Sequence, residues 1–566
     1  MNALRRRLSR RLQARTIKGL TPGPHDITIR KNLRVPMDDG VELLADLITP
    51  IGNPEPPLPT IVIRGPYGRS GPMAGQARAL AREGFTVLFQ SCRGTWGSGG
   101  VFTPQIDEQR DGITTHRWVR AQPWCTGPVV TYGASYMGYT QWAVAAALQR
   151  EEPAAAPDAL CLITTMPDFG AVTWDNSAFA LRNALGWSQM MDRMIHREFL
   201  ALLWGQLRPD RRLRSAFGVL PLADGDLAAT GRRMHWYQDW VAHERLTDEY
   251  WTRQSHTASV AEVTAPVYMV TGWYDIFLPW QLADHARLAA AGRASRLTVG
   301  PWGHLSRGMG APAISESVAF LREHFTGADS DRVAPVRAYR TGAGQWHDLA
   351  TWPPAGVTTE SRYLSASGSL GAGLPDGGVT RYVYDPAAPT PALGGPSLLP
   401  DSGPVDNAAH ERRDDVVVFR SEPLDEPVTV AGEPVARIRF RSSQPGADLF
   451  VRICDVHPDG RAMTVCDGIR RIGGVATAAT DPPAGPDGFR DIEVRLWPAF
   501  HRFAPGHRIG VQISSGAHPR YARNPGSGEP AVSASALHRA TQEISHATTD
   551  PSRLELPVWC SGDGTQ

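Results

Sequence analysis

The chain has few cysteines, no excess of either charge and no long apolar run. Only 6 of its 566 residues are cysteine, and none are closely paired, which argues against a disulfide framework or a zinc site with two-residue ligand spacing. Lys plus Arg number 58 and Asp plus Glu number 57, so no overall field would recruit nucleic acid or an anionic membrane. No apolar stretch approaches the ~20 residues that cross a bilayer. We therefore expect a cytoplasmic protein whose ligand is small and weakly charged.

The first 21 residues are rich in arginine and lack the continuous apolar run of a signal peptide. Leu4, Leu8 and Leu12 recur there at helical spacing, so a basic amphipathic helix that touches a membrane or a partner is one interpretation. A solvated tail is the other, and it is the one we favour. The sequence also leaves a homodimer open.

The length predicts two or three domains, because single hydrophobic cores stop growing near about 300 residues. Strand-like and helical segments alternate over 22–162 and again over 257–359, which indicates a parallel sheet covered on both faces. The intervening segment, 163–256, is rich in Trp, Met and Arg, has helical patterning without clear strands, and is predicted to be an inserted cap. Over 360–566, short strand-like runs alternate with Gly/Pro-rich turns, as in an all-β sandwich or jelly roll.

Ser135 lies where a predicted strand, 129–132, meets a predicted helix, 139–148. A serine on such a turn projects its hydroxyl above the sheet, and small neighbours such as Gly133 allow the sharp bend. The helix that follows also directs free backbone N–H groups towards any nearby oxyanion. Met137 occupies the second glycine position of the Gly-x-Ser-x-Gly pattern. Ser135 is therefore a candidate nucleophile, in a motif that departs from Gly-x-Ser-x-Gly at its second glycine.

Two downstream motifs supply the partners that a serine nucleophile needs. Asp275 follows the apolar strand 265–270, and His304 follows the strand 296–299. The chain order Ser, Asp, His is the one used by α/β-hydrolases, and open α/β sheets place their sites at the carboxyl ends of strands. Serine needs a base to take its proton, and imidazole needs a carboxylate to fix its tautomer. The sequence therefore predicts a Ser135–His304–Asp275 triad.

Around these residues the sequence resembles the cocaine-esterase-like (CocE/NonD) and X-prolyl dipeptidyl peptidase family of α/β-hydrolases, which includes the α-amino-acid ester hydrolases. The resemblance covers nearly the whole chain after the basic tail. The matching motifs are Val35–Val41, Gly65–Tyr67, Arg93–Gly94, Gly133–Gly138, Gly272–Asp275, Gly300–His304, Tyr384–Pro386, Asp455–Arg461 and Pro505–Arg508. The resemblance implies an α/β-hydrolase sheet with an inserted helical cap, a C-terminal jelly-roll domain, and catalysis without a cofactor or metal.

The resemblance also implies roles that the residues alone do not reveal. The oxyanion hole is expected to consist of the Tyr67 phenol and the backbone N–H of Tyr136, a kind of donor that is typically worth ~2.7–4 kcal/mol in the transition state. Aromatic and aliphatic residues of the cap, the aspartate loop and the β domain are expected to form the substrate pocket. They are Trp174, Trp187, Phe277, Leu398 and Leu399.

The chain departs from the family pattern at three places. Ser91 stands where members often have Asp, so a local carboxylate contact is expected to be missing. Leu398-Leu399 replaces a Leu-Phe pair, which should alter the leaving-group side of the pocket. After Asp275, the run Ile276–Leu278 replaces the carboxylates with which amino-acid ester hydrolases hold a substrate ammonium. Cap carboxylates could still turn inward and provide such an anchor, the candidates being Asp168, Asp175 and Asp192.

These features predict a serine hydrolase that cleaves a carboxylic ester with a mainly apolar or aromatic acyl group through an acyl-enzyme. The substrate is expected to be a small-molecule ester or amide. An X-prolyl dipeptidyl peptidase is the first alternative, and it would need an anionic anchor for the substrate N-terminus. A biosynthetic acyltransferase or lactone-forming enzyme is the second, because a dry pocket lets an alcohol or amine outcompete water. A non-catalytic carbohydrate-binding protein is opposed by the intact triad.

Overall fold

The computed structural model describes residues 17–52, 56–198, 211–398 and 401–560. Most of the predicted basic tail and the pocket candidate Leu399 lie outside these ranges. None of the described helices is long and apolar enough to cross a membrane.

The first domain is built on one large sheet. Its strands are β1 (Ile27–Pro36), β2 (Glu42–Pro50), β3 (Thr60–Gly65), β4 (Thr86–Ser91), β5 (Val129–Ala134), β6 (Ala159–Ile163), β9 (Val267–Tyr274), β10 (Ser295–Gly303), β11 (Val336–Arg340) and β12 (Gln345–Leu349). The ten strands lie in the order β1-β2-β4-β3-β5-β6-β9-β10-β11-β12. Every pair from β4 to β11 is parallel, and β3, β6 and β9 are buried along their whole length, as expected for a sheet covered on both faces.

Helices cover both faces of this sheet. The described helices are α1 (Gly75–Arg82), α2 (Glu108–Arg120), α3 (Tyr136–Glu151), α4 (Phe169–Thr173), α5 (Leu181–Ile195), α6 (Arg211–Ala216), α7 (Gly225–Thr230), α8 (His235–Ala242), α9 (Glu249–Thr252), α10 (Leu278–Ala290) and α11 (Gly310–Thr326). Cys161 and Ile163 of β6 share an apolar cluster with α1 and α11, whereas Leu160 and Leu162 share another with α10. Since side chains alternate along a strand, these two clusters lie on opposite faces. The expected α/β architecture is confirmed.

The cap connects β6 to β9 and contains α4 to α9. It also contains a two-stranded hairpin, β7 (Trp174–Asp175) and β8 (Ala178–Phe179), where the sequence predicted no strands. Strands of two residues are too short to produce a period-2 pattern. The turn between them is made by Asn176 and Ser177, both with positive φ (46° and 67°), the conformation that tight hairpins require.

The C-terminal domain is an all-β sandwich. Its strands are β13 (Val357–Leu364), β14 (Leu370–Gly371), β15 (Val379–Tyr384), β16 (Val417–Arg420), β17 (Val428–Gly432), β18 (Val435–Ser442), β19 (Ala447–Val456), β20 (Ala462–Ile472), β21 (Arg490–Arg495), β22 (Ala499–Phe503), β23 (Arg508–Ser514), β24 (Ala540–Ser545) and β25 (Arg553–Trp559). A four-stranded sheet, β16-β23-β19-β20, faces a nine-stranded sheet that contains β13, β25, β18 and β24, and both contribute to one apolar core. The predicted domain boundary between residues 359 and 360 falls within β13. The first residues of this strand, Val357–Glu360, are weakly apolar and do not mark where the strand begins.

The C-terminal domain also makes hydrogen bonds to the cap. The Tyr521 hydroxyl donates a hydrogen bond of 2.5 Å to Asp175 in the cap hairpin, and the Ala522 N–H donates one of 2.8 Å to the Phe179 carbonyl. The C-terminal domain and the cap therefore contact each other at the cap hairpin.

Candidate active site

Ser135 occupies a strained turn between β5 and α3. Its φ of 58° and ψ of −124° lie outside the regions that a non-glycine residue ordinarily adopts. The Ser135 N–H donates to the carbonyls of Ile163 and Thr164 at 2.9 and 3.1 Å, and the Thr165 hydroxyl donates to the Ser135 carbonyl at 2.8 Å. Such strain persists only where the surroundings enforce it, and it is concentrated at active sites.

Met137 fits at the second glycine position because its side chain lies over two other glycines. A Cβ added to Gly133 would come within 2.4 Å of the Met137 Cβ, and one added to Gly65 would come within 2.4 Å of the Met137 Cγ. Gly138, on the other side of the turn, faces Thr165 just as closely. The glycines at 65, 133 and 138 therefore allow the close approach that a bent turn with a bulky Met137 requires.

Asp275 and His304 follow the neighbouring parallel strands β9 and β10 and contact each other. The His304 Nδ1 lies 2.9 Å from the Asp275 Oδ2, and the Asp275 carboxylate is fully buried. Its Oδ1 accepts a 2.8 Å hydrogen bond from the Phe277 N–H. A carboxylate at this nitrogen favours the tautomer with a proton on Nδ1, which leaves the Nε2 lone pair available to accept a proton.

Phe277 is a neighbour of both Ser135 and His304, so Ser135 lies close to the Asp275–His304 pair. Ser135 and Phe277 line one cavity, and the Phe277 ring packs edge-on against the His304 imidazole with ring centroids 5.2 Å apart. The structure thus brings the three predicted triad positions to one end of the sheet.

The Tyr67 phenol lies near the Ser135 side chain. Its hydroxyl accepts a 3.0 Å hydrogen bond from the Trp187 indole N–H, and the Ser135 side chain is close enough to oppose the effect of burial on the pKa of the phenol. Burial raises the pKa of Tyr67 to about 12, so the phenol keeps its proton at neutral pH. The Tyr136 N–H is the first of α3 and has no partner within the helix. Both predicted oxyanion donors are therefore positioned next to Ser135.

The side chain of Tyr136 enters a buried polar network that the sequence did not reveal. Its hydroxyl donates to the Glu108 carboxylate at 2.9 Å and accepts from the Gln105 N–H at 2.7 Å. Arg64 pairs with Glu108 at 3.0 Å, and burial raises the pKa of Glu108. These partners are far apart in the chain, so no local motif announces them. The network anchors the start of α3, which carries the Tyr136 N–H.

Ser91 belongs to a polar cluster with Arg69 and Asp46. Arg69 donates to the Ser91 hydroxyl and pairs with Asp46 of β2 at 3.3 Å. Ser91 therefore contributes a hydrogen bond, and Asp46 contributes the charge.

The Ser135 cavity is mainly apolar. Of the predicted pocket residues, Trp187 of the cap, Phe277 of the aspartate loop and Leu398 of the C-terminal domain line it. Trp240, which the sequence analysis did not single out, also lines it, with its ring 5.6 Å from that of Trp187. Among the described residues, no charged side chain lines this cavity. Walls from three parts of the chain thus surround the space beside the nucleophile.

Trp174 lies behind the cavity wall. It is 1% exposed, and its indole N–H donates to the Trp240 carbonyl at 2.8 Å. It is not one of the described residues that line the cavity. The structure therefore places Trp174 where it supports Trp240, because its hairpin faces the cap interior.

The three cap carboxylates considered as ammonium anchors have protein partners. Asp168 caps α4 through a 2.9 Å hydrogen bond from Gly170, and Asp175 accepts the bond from the Tyr521 hydroxyl. Asp192 pairs with Arg232 at 3.1 Å. None of the three is among the described residues that line the Ser135 cavity.

A serine on a strained strand-to-helix turn, beside an imidazole held by a buried carboxylate, is the arrangement of a serine hydrolase, and the sheet is that of the α/β-hydrolases. Comparison with known families agrees. The model of the X-Pro dipeptidyl-peptidase (S15) family matches residues 39–306, and the model of the X-Pro dipeptidyl-peptidase C-terminal non-catalytic domain matches residues 328–555. The chain belongs to this family of serine hydrolases and is an esterase or a peptidase.

Relatives of both kinds resemble the chain over most of its length. Cocaine esterase of Rhodococcus sp. (strain MB1 Bresler) is 31% identical over 570 residues, which cover 92% of this chain and 98% of that protein. The structure of an aminopeptidase from a marine sediment Thaumarchaeota archaeon has a TM-score of 0.78 at 25% identity, covering 96% and 98% of the two chains. An α-amino acid ester hydrolase has a TM-score of 0.78 at 24% identity, covering 94% and 97%, and shows the common fold.

Proposed function

We propose that the protein is a carboxylic-ester hydrolase for substrates with a largely apolar or aromatic acyl group. The observation that carries the proposal is the Ser135 cavity, whose described walls are mainly aromatic and aliphatic and include no charged side chain. Apolar surface covered there contributes roughly 25 cal/mol per Å². Burying an unpaired ammonium in the same space would cost several kcal/mol.

The geometry supports an acyl-enzyme mechanism. His304 accepts the Ser135 proton while the oxygen attacks the ester carbonyl, and Asp275 stabilises the resulting imidazolium. The tetrahedral oxyanion accepts hydrogen bonds from the Tyr67 hydroxyl and the Tyr136 N–H. The alcohol then leaves with the proton from His304, and water attacks the acyl-enzyme by the same steps in reverse. In this mechanism, Trp187 and Phe277 hold the acyl group.

An X-prolyl dipeptidyl peptidase is the competing function, because the matching family model carries that description. Such an enzyme must bind a free substrate N-terminus. The partners of Asp168, Asp175 and Asp192 oppose this role, since each carboxylate is committed to another group of the protein. The 31% identity to a cocaine esterase further supports an ester substrate.

A comparison on one preparation tests the proposal. We expect a neutral aryl ester to be cleaved with kcat/KM at least about tenfold above Gly-Pro-anilide and above an amino-acid ester, a margin of ~1.4 kcal/mol in transition-state binding. The Ser135→Ala variant controls for spontaneous hydrolysis. Preference for the dipeptide anilide would move the protein to the peptidase branch.

A further inference from the structure

Gln105 has an unusual backbone that is held in place from two sides. It lies in the loop between β4 and α2 with a φ of 69°, a left-handed conformation that is rare for a residue of this type. Its N–H donates to the Tyr136 hydroxyl at 2.7 Å, and its carbonyl accepts from the Tyr139 hydroxyl at 3.4 Å. Both tyrosines belong to the first turn of α3, so Gln105 is tied directly to the helix that follows the nucleophile.

The side chain of Gln105 is buried, lines the Ser135 cavity and has an oxygen without a partner among the described residues. The residue is 3% exposed, and its Oε1 makes no hydrogen bond to any described part of the protein. Native structures rarely leave a buried polar atom unpaired, because the group loses its water without a replacement. An unpaired amide on the wall of a substrate cavity therefore indicates a group that the substrate satisfies.

Two other polar side chains on this wall have partners. The Thr173 hydroxyl donates to the Phe169 carbonyl at 2.7 Å. The Asn183 Oδ1 accepts the Leu398 N–H at 3.2 Å. Gln105 differs from them because it is buried and its Oε1 is unpaired among the described residues, so a ligand would supply the partner that its amide lacks.

We propose that Gln105 binds a neutral hydrogen-bonding substituent on the acyl group, such as a hydroxyl or a carboxamide, and selects such substrates over their apolar isosteres. The inference rests on the proposed function in that an acyl group occupies the Ser135 cavity. A hydroxyl both donates and accepts, so it pairs with an amide in either orientation. A charged substituent does not fit, because no described side chain of opposite charge lines the cavity.

The discrimination should be large because it includes the cost of leaving the amide unpaired. A purely apolar pocket separates substrates that differ by one hydroxyl only weakly. A site with a buried polar group rejects the analogue that lacks the matching group much more strongly. We expect a preference of at least about tenfold for the substituted acyl group.

Aryl boronic acids provide a test that does not depend on the leaving group. Boron forms a bond to the Ser135 oxygen and becomes tetrahedral, the serine proton passes to His304, and no group departs. The adduct places the aryl ring in the acyl position whether the natural reaction cleaves an ester or an amide. The measurement is the inhibition constant of phenylboronic acid against those of its ortho, meta and para hydroxy and carboxamide derivatives.

In the wild-type protein, we expect the best derivative to bind at least about tenfold more tightly than phenylboronic acid. Gln105→Met, which keeps the length but removes the polar atoms, should reduce this ratio to about one. Gln105→Leu repeats the measurement in case the methionine variant does not fold. Thr173→Val is the matched control on the same wall, and it should keep the ratio because the Thr173 hydroxyl is already committed.

The inference is overturned if no derivative exceeds phenylboronic acid in the wild type, or if the ratio survives in both Gln105 variants. Hydrolysis of p-nitrophenyl benzoate, measured in parallel, tests the proposed function separately. A Gln105-dependent boronic acid ratio without ester turnover would refute ester hydrolysis and leave the substituent site standing. Ester turnover without a Gln105-dependent ratio would support ester hydrolysis and refute the substituent site.

Discussion

Replacing Tyr67 by Phe removes one hydroxyl from the centre of the proposed oxyanion hole. That hydroxyl accepts a 3.0 Å hydrogen bond from the Trp187 indole N–H, and the Ser135 side chain lies near it. Because the phenol oxygen accepts from Trp187, the phenol's own proton is available to donate to the oxyanion. The raised pKa of Tyr67, about 12, keeps that proton in place throughout the usual assay range.

The size of the effect follows from the role. One oxyanion donor is typically worth ~2.7–4 kcal/mol in the transition state, so Tyr67→Phe should lower kcat by roughly 10²–10³ while KM changes little. The variant also leaves the half-buried Trp187 N–H without its acceptor, which costs about 1 kcal/mol of folding stability. Trp187→Phe separates the two effects, because it removes the supporting donor but keeps the phenol, and it should lower kcat less.

The assay is steady-state hydrolysis of an activated aryl ester by the wild type and both variants, with thermal unfolding to verify the folded fraction. A fall in kcat at constant KM supports the oxyanion role. If KM rises and kcat holds in Tyr67→Phe, the phenol binds substrate in the ground state and the oxyanion hole lies elsewhere.

Three further predictions concern buried ionisable side chains. Asp275→Asn should lower kcat about 10⁴-fold in the same ester assay while the fold is kept, because His304 loses the carboxylate that fixes its tautomer. Asp467→Asn should cost about 3–5 kcal/mol in denaturant unfolding, since the fully buried Asp467 pairs with Arg452 and Arg520 at 2.9 and 2.5 Å. Burial lowers the pKa of His116 to about 3 in the folded protein. Between that pH and about 6.5 the unfolded chain binds a proton on this histidine and the folded protein does not. Stability should therefore fall as the pH drops from about 6.5 towards 3, and His116→Gln should flatten that dependence of Tm on pH.

Each of these predictions has a contradicting result. If kcat of Asp275→Asn fell by less than tenfold, the Asp275 carboxylate would have no essential part in catalysis. An Asp467→Asn variant as stable as the wild type would mean that the two arginines find other partners. An unchanged pH dependence in His116→Gln would assign the acid loss of stability to other groups.

The clustering of the three proposed triad residues could be predicted, because each follows a strand that is recognisable from its own residues. Ser135 comes after an apolar run and before an Ala-rich helix, and Asp275 and His304 each follow a buried strand. In a parallel sheet these ends lie at the same edge, so chain order translates into proximity. The local strain at Ser135 follows from the same turn.

The walls of the cavity were less predictable because they depend on how loops and cap helices face one another. Trp174 and Trp240 look equivalent in sequence and both are buried, yet among the described residues only the second lines the cavity. Gln105 lies in a loop whose conformation is set by tyrosines about 30 residues away. Asp46 pairs with Arg69, the partner of Ser91, from a different strand. Contacts of this kind arise from tertiary packing and leave no local pattern.

Labelling with a fluorophosphonate, followed by intact-mass and peptide analysis, tests the central claim most directly. The reagent forms a covalent adduct with a serine whose proton is taken by a neighbouring base, whichever substrate the enzyme prefers. We predict one adduct on wild-type protein, located on the peptide that contains Ser135, and none on the folded Ser135→Ala variant. An adduct on another residue, or equal labelling of the variant, would contradict the assignment of Ser135 as the nucleophile.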